Sequence, residues 1–263
     1  MMASESTNLK DLHFIQMRGS STVMKLMQHI GMRYMDEHPH IRIPLLAGGT
    51  AMGYKSALDG TTNIGMASGQ MPPNIQIWAH KYKYKIEEVT IATDGLVAIV
   101  NPANPINELT LDQLHDIFTG SITNWNALGK YSGPINVVSH DPQLGTYEPW
   151  KRQVTGNDHI TLKAKVITGI HSLMQEISTD PFAIGWVGTT FLRKEKVKPL
   201  AINGVLPTYQ AIKQHEYPIR NDLQLLVAPN AHKEVKEFIA YCLDVNKGQA
   251  MIKELGLVPV AGK

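Results

Sequence analysis

The stretch VVSHDPQLGTYEPWK, Val137 to Lys151, sets the reading of the whole chain. It opens as a short β-branched strand, passes through a Pro/Gly loop and enters a helix whose first turn is Gly145-Thr146-Tyr147-Glu148. A strand delivered through glycine to a helix N-terminus gathers unpaired backbone N–H groups and the positive end of the helix dipole at one point, which suits an anion. Gly19-Ser20-Ser21-Thr22 and Gly48-Gly49-Thr50-Ala51 have the same form. One such stretch alone reads as an ordinary capped helix. Three in one chain, in the strand pattern around them, point to a ligand.

Working outward, the N-terminal part alternates strands and helices. His13–Met17 reads as a strand, followed by a helix from Val23 to Glu37 with Met24, Met27, Ile30, Gly31, Tyr34 and Met35 at helical spacing and Pro39 as its stop. Ile41–Leu46 is the next strand, Met52–Leu58 the next helix, and Asn63–Ala67 a third strand leading to Ser68-Gly69-Gln70. This series predicts a parallel sheet whose loops collect at the strand C-termini, the edge where ligands bind in such sheets. Ser20, Thr22, Gly49, Thr50 and Ser68 are expected to converge there.

Glu87–Asn101 is a long β-rich segment able to run from one lobe into another. Thr110 is the expected N-cap of a helix that buries Leu111, Leu114, Ile117 and Phe118 and stops at Gly120. Ile135–Ser139 is a strand, Thr146 to about Val154 a helix, and Ala183–Gly188 a buried strand whose glycines allow close backbone approach. Val205–Pro218 reads as irregular. Leu223–Ala228 is a strand returning the chain to the first lobe, followed by helices over Lys233–Leu243 and from Asn246 to Leu255, closed by Gly256.

The chain has 263 residues, 43% hydrophobic and 18% charged, the profile of a globular protein large enough for two lobes. A net charge of +2 gives no global field that would direct it to nucleic acid or to an anionic membrane. The basic run Arg193-Lys194-Glu195-Lys196-Val197-Lys198 is short and interrupted, a solvated face. The single cysteine, Cys242, excludes an internal disulfide and a cysteine metal cage, and its apolar neighbours mark it as a packing residue. No metal or cofactor is expected. No run is long and apolar enough to span a membrane. The N-terminus lacks a charged segment followed by an apolar one, which fits either a cytosolic chain or one whose targeting segment was removed and a start codon added; the doubled Met favours the second.

Several blocks in combination resemble the phosphate-binding, extracytoplasmic solute-binding proteins of ABC transporters. They are Gly19-Ser20-Ser21-Thr22, GGTAMGYKSALDGTTNIGMAS (Gly48–Ser68), DGLVAIVNPANP (Asp94–Pro105), LTLDQLHDIFTGSITNW (Leu109–Trp125), VVSHDPQLGT, AIGWVG (Ala183–Gly188) and the C-terminal KEFIAYCLDVNKGQAMIKELGLVPV. The resemblance runs from about Phe14 to Val260. It implies an α/β, two-lobe periplasmic-binding-protein-like fold of type II, with a hinge of two crossing strands. Lobe 1 is expected over residues 10–96 and 215–263, and lobe 2 over 97–214. It further implies a monomer located in the periplasm or otherwise outside the cytoplasm. The protein would close on an oxyanion, phosphate first, and deliver it to an ABC permease.

The ligand set implied by position is Gly19, Ser20, Ser21, Thr22 and Ser68, with His140, Gly145, Thr146 and Tyr147 from the second lobe. The pattern departs from the family at three places. His140 stands where the family has Arg, Leu144 where it has a ligating Ser, and Gly69 where Arg follows the Ser of the third strand. Arg18 is the expected compensating cation. Tyr147 and Trp150 are candidate pocket walls, with core packing as the other reading. Asp94 and Asp141 are the carboxylates considered as acceptors of a ligand proton, with loop structuring the stronger reading for Asp141. If His140 reaches the ligand, binding is expected to weaken as pH rises through its titration.

Two other classes of function stand beside this one. One keeps the fold as the ligand-sensing extracytoplasmic domain of a signalling system. The other is an enzyme built on Ser139-His140-Asp141. Consecutive residues at a strand end point to opposite faces and cannot form a nucleophile–base–orienter chain, so no enzyme is expected.

Overall fold

The structure, a computed structural model, describes residues 12–129, 131–142, 144–156, 158–192, 196–228 and 231–260. It is a mixed α/β protein of two compact units. The first takes the chain up to Ala92, Asp222–Glu254 and the residues from Pro259 onward; the second takes Thr93–Asn221 and Leu255–Val258. The chain changes unit inside the strands Glu87–Val100 and Arg220–Val227. Residues 93–96, 215–221 and 255–258, within the expected lobe 1, fall in the second unit.

In the first unit the expected strand–loop–helix series is present. Met17–Gly19 lies between Leu45–Ala47 and Ile64–Ser68, parallel to both, and Arg220–Val227 runs antiparallel to Ile64–Ser68. The expected single strands over His13–Met17 and Ile41–Leu46 each divide in two, with His13–Phe14 pairing Ile41–Arg42. The register is unbroken across the division: His13 opposes Ile41 and Met17 opposes Leu45. Pro44, without an N–H to donate, sits at the gap.

The helix Ser21–Glu37 buries Met27, Ile30, Gly31 and Tyr34 of the expected stripe, with Val23 and Leu26 added and Met24 and Met35 only partly buried. The helix Pro73–Lys81 is an addition to the expected series. Pro73 stands in its first turn, where proline's missing N–H costs nothing. Cys242 is fully buried on the helix Lys233–Leu243, and burial pushes its thiol up.

In the second unit Ala183–Gly188 runs antiparallel to Glu87–Val100 and parallel to Asn136–His140, which pairs in parallel with Lys165–Ile167. Thr110 caps the helix Leu111–Thr119 with Gln113 completing a reciprocal capping box, and Gly120 ends it at φ 88°. The helix Ile170–Thr179, unread in the sequence, buries Leu173, Met174 and Ile177. The stretch expected to be irregular holds a short helix, Tyr209–Lys213, capped by Thr208.

The centre of this unit is aromatic. Trp150 and Trp186 stack with centroids 4.9 Å apart and planes 4° from parallel, and Phe118 meets both edge-on. Offset stacking and edge contacts of this kind add to the large apolar area such rings bury.

Candidate functional site

Glycines bring the backbones of the first unit close enough for the loops at the strand ends to meet. Gly19 has φ 141°, and a Cβ on it would stand 2.1 Å from the Met66 carbonyl oxygen. Gly53, on the helix Gly49–Leu58, abuts the same carbonyl, with a hypothetical Cβ at 2.2 Å. The close approach lets Ser20 N–H donate to Met66 O at 2.8 Å and Gly48 N–H to Gly19 O at 2.9 Å. Gly19→Ala is therefore expected to lower stability by about 2 kcal/mol or more, and the melting temperature by at least about 4 °C. A thermal melt checks this.

The result is a chain of three hydroxyls. Ser20, the N-cap of the helix Ser21–Glu37, accepts from Val23 N–H at 3.4 Å and donates to Ser68 Oγ at 3.0 Å. Ser68 Oγ lies 3.2 Å from Thr50 Oγ1, which also accepts from Ser68 N–H at 3.1 Å. Ser20 and Ser68 are buried, while Ser21, Thr22 and Thr50 are partly exposed. Neither helix, Ser21–Glu37 or Gly49–Leu58, carries an acid in its first turn. Both N-terminal dipole ends are thus left without a carboxylate of their own.

Ser68 Oγ thus accepts from Ser20 and lies within hydrogen-bond reach of Thr50 Oγ1. Thr50, expected to converge with Ser20 and Ser68, closes a ring with Ser68 through these two bonds. Arg18, on the neighbouring strand, runs beside Gly48, whose hypothetical Cβ would stand 3.8 Å from Arg18 Nε. That nitrogen is buried and has no hydrogen-bond partner among the described residues.

The second unit places its expected residues differently. His140 is fully buried, not on a loop surface, and its Nε2–H donates to the Trp186 carbonyl at 2.7 Å with the rings edge-to-face. Burial lowers its pKa to about 4 against the help of that carbonyl, so it is a neutral ring at physiological pH and brings no positive charge. A charged His140, which the expected titration of binding needs, is disfavoured by this burial.

Trp150 is likewise core, not wall, and Tyr147 is half-buried against the same aromatic cluster. Tyr147 N–H donates to Leu144 O and Leu144 N–H to Asp141 O, both at 2.9 Å, so Asp141 anchors the loop through its backbone. Only Tyr147–Trp150 is regular α-helix before the turns widen over Lys151–Thr155. Thr146, 5% exposed, leaves its hydroxyl without a hydrogen-bond partner among the described residues. Gly145, partly exposed, precedes it.

Asp94 is also interior. It accepts from Thr189 N–H at 3.0 Å and Thr189 Oγ1 at 2.6 Å, and a Cβ on Gly188 would stand 2.4 Å from its Oδ2. Burial raises its pKa to about 6, opposed by the bonds from Thr189 and from Gly95 N–H. Ser139 Oγ donates to the His140 carbonyl, so the consecutive Ser139, His140 and Asp141 form no relay.

Parallel strands that feed glycine-bounded helix N-termini, with neutral hydroxyls gathered there, make an α/β arrangement suited to a small anion. Comparison with known proteins places it more narrowly. A family model described as a PBP superfamily domain matches residues 3–246, and the chain belongs to that superfamily. The phosphate-binding protein PstS of Bacillus subtilis is 27% identical over 248 residues, covering 92% of this chain and 79% of that protein. Among solved structures, an ABC-type phosphate transport receptor from Vibrio cholerae superposes with a TM-score of 0.84 at 25% identity, covering 94% of this chain and all of that one. A protein from Clostridium perfringens, solved with phosphate bound, gives 0.80 at 26% identity over 95% of this chain.

Proposed function

We propose that this protein captures inorganic phosphate or a closely related oxyanion outside the cytoplasm and presents it to an ABC permease, without catalysing a reaction on it. The observation that carries the reading is the Ser20–Ser68–Thr50 hydroxyl chain at two helix N-termini. Such an arrangement offers several neutral donors aimed from rigid backbone, the way an anion is bound without a matching ion pair. The relatives of matching length are phosphate-binding proteins by name, which fits that chemistry.

Ser20, Ser21, Thr22 and Ser68 are the proposed contacts from the first unit, with Thr50 added. Arg18 is the proposed cation, since His140 is neutral. Gly145 and the open Thr146 hydroxyl are the proposed donors of the second unit.

A thermal-shift titration tests the reading. Phosphate at about a thousandfold excess over its Kd is expected to add about 4 kcal/mol, raising the melting temperature by about 10 °C. Arg18→Gln is expected to need about tenfold more phosphate for the same shift, the cost of one charge-assisted hydrogen bond. A melting temperature indifferent to phosphate would reject the proposal.

A further inference from the structure

The first unit carries an aromatic and basic surface patch that oxyanion capture does not use. The helix Pro73–Lys81 closes with Tyr84 N–H donating to Ala79 O at 3.0 Å and Lys83 N–H to His80 O at 3.2 Å. This is a Schellman closure, whose left-handed position is usually glycine. Here Lys83 occupies it at φ 54°, a conformation that costs an L-residue backbone strain.

The turn sets Tyr82 and Tyr84 beside Trp78, with ring centroids 5.9 and 4.9 Å from the indole and 6.1 Å from each other. Trp78 is partly buried against the core, and the two tyrosines stay at the surface beside it. Tyr82 is 54% and Tyr84 41% exposed, and Ile77 on the same helix is 71% exposed. Lys81, Lys83 and Lys85 alternate with the tyrosines and are all exposed. No Asp or Glu stands between Asp59 and Glu87.

Scattered exposed apolar residues need no explanation, but three mutually touching rings interleaved with lysines form a patch of defined chemistry. The rings are tilted by 34° to 55°, which gives no flat platform for a sugar to stack on. Trp and Tyr favour the boundary between water and hydrocarbon, where an apolar ring and a polar tip are both accommodated. Lysines beside them add attraction to anionic headgroups, about fivefold in affinity for each.

We propose that this patch docks reversibly on an anionic phospholipid surface. Ile77, Trp78, Tyr82 and Tyr84 enter the headgroup layer, and Lys81, Lys83 and Lys85 lie against lipid phosphates. The left-handed Lys83 is the backbone device that holds both tyrosines against Trp78 at the helix end. This role is separate from oxyanion capture.

Vesicle co-sedimentation tests it, with phosphatidylcholine vesicles and vesicles containing phosphatidylglycerol. The full-length chain is expected to bind the anionic vesicles, to release as salt rises, and to ignore neutral ones. Quenching by brominated lipid should report Trp78, since Trp125, Trp150 and Trp186 are fully buried. The K81Q/K83Q/K85Q variant is expected to bind about a hundredfold more weakly, with its phosphate-induced thermal shift intact. Ile77→Ser with Tyr84→Ser should remove the quenching. Equal binding to both vesicle types, or a lysine variant that binds like the parent, overturns the proposal. Binding to neither vesicle also overturns it and leaves the patch to an acidic protein surface.

Discussion

Replacing Ser20 and Ser68 together by alanine is expected to weaken phosphate binding by at least about a hundredfold while leaving the protein folded. Each hydroxyl that donates to an anion contributes about 1.5–3 kcal/mol, or roughly tenfold to a hundredfold in affinity. The two are not independent, because Ser20 Oγ donates to Ser68 Oγ at 3.0 Å and Ser68 in turn meets Thr50 Oγ1 at 3.2 Å. Removing Ser68 alone leaves Ser20 pointing at an empty position and frees Thr50 to rotate. The double variant should therefore lose less than the product of the single losses. Equilibrium dialysis with labelled phosphate reads this directly. A double variant that binds like the parent would show that the anion contacts other groups.

The second large effect is on stability and its pH dependence. Asp94 and His140 are both buried in the second unit, at opposite ends of the segment from Trp186 to Gly188. Burial raises Asp94 from 3.8 to about 6, so the folded state favours its protonated form. Its contribution is fully present below about pH 4 and is lost as pH rises through 6. His140 is lowered from 6.5 to about 4, so the folded state favours its neutral form. That contribution is present above about pH 6.5 and is lost as pH falls through 4.

Each difference corresponds to about 3 kcal/mol at about 1.4 kcal/mol per pH unit. Between pH 4 and 6 the two slopes oppose each other and largely cancel. Single replacements should uncover them. His140→Gln keeps a donor for the Trp186 carbonyl and should make stability rise on acidification through this window. Asp94→Asn should make it fall, whatever its absolute stability. Melting temperature measured against pH for the three proteins checks the signs. Parallel profiles would mean that neither group is held as its burial requires.

Much of this was legible because glycine and backbone geometry speak at short range. The strand–loop–helix series of the first unit follows from apolar spacing and Gly-bounded loops, and the Thr110–Gln113 capping box is a local pattern. The convergence of Ser20 and Ser68 follows from parallel strands whose ends share one edge.

What was hidden depends on partners far along the chain. His140 sits at the end of a strand, where alternation gives a side but not a depth. Its burial is decided by Trp186, 46 residues later. Trp150 could have faced a ligand or the core, and the same Trp186, by stacking on it, settles the matter. Lys83 escaped notice because sequence patterns look for glycine where a helix closes. The unread helix Pro73–Lys81 escaped because proline marks a helix start as readily as a loop.

Isothermal titration calorimetry of the phosphate-stripped protein with phosphate tests the central claim most directly, with sulfate, arsenate and phosphonates titrated alongside. The account predicts saturable binding of about one phosphate per chain, weakened in Ser68→Ala by roughly tenfold or more. Absence of heat with every oxyanion, for a protein that still melts cooperatively, would contradict it.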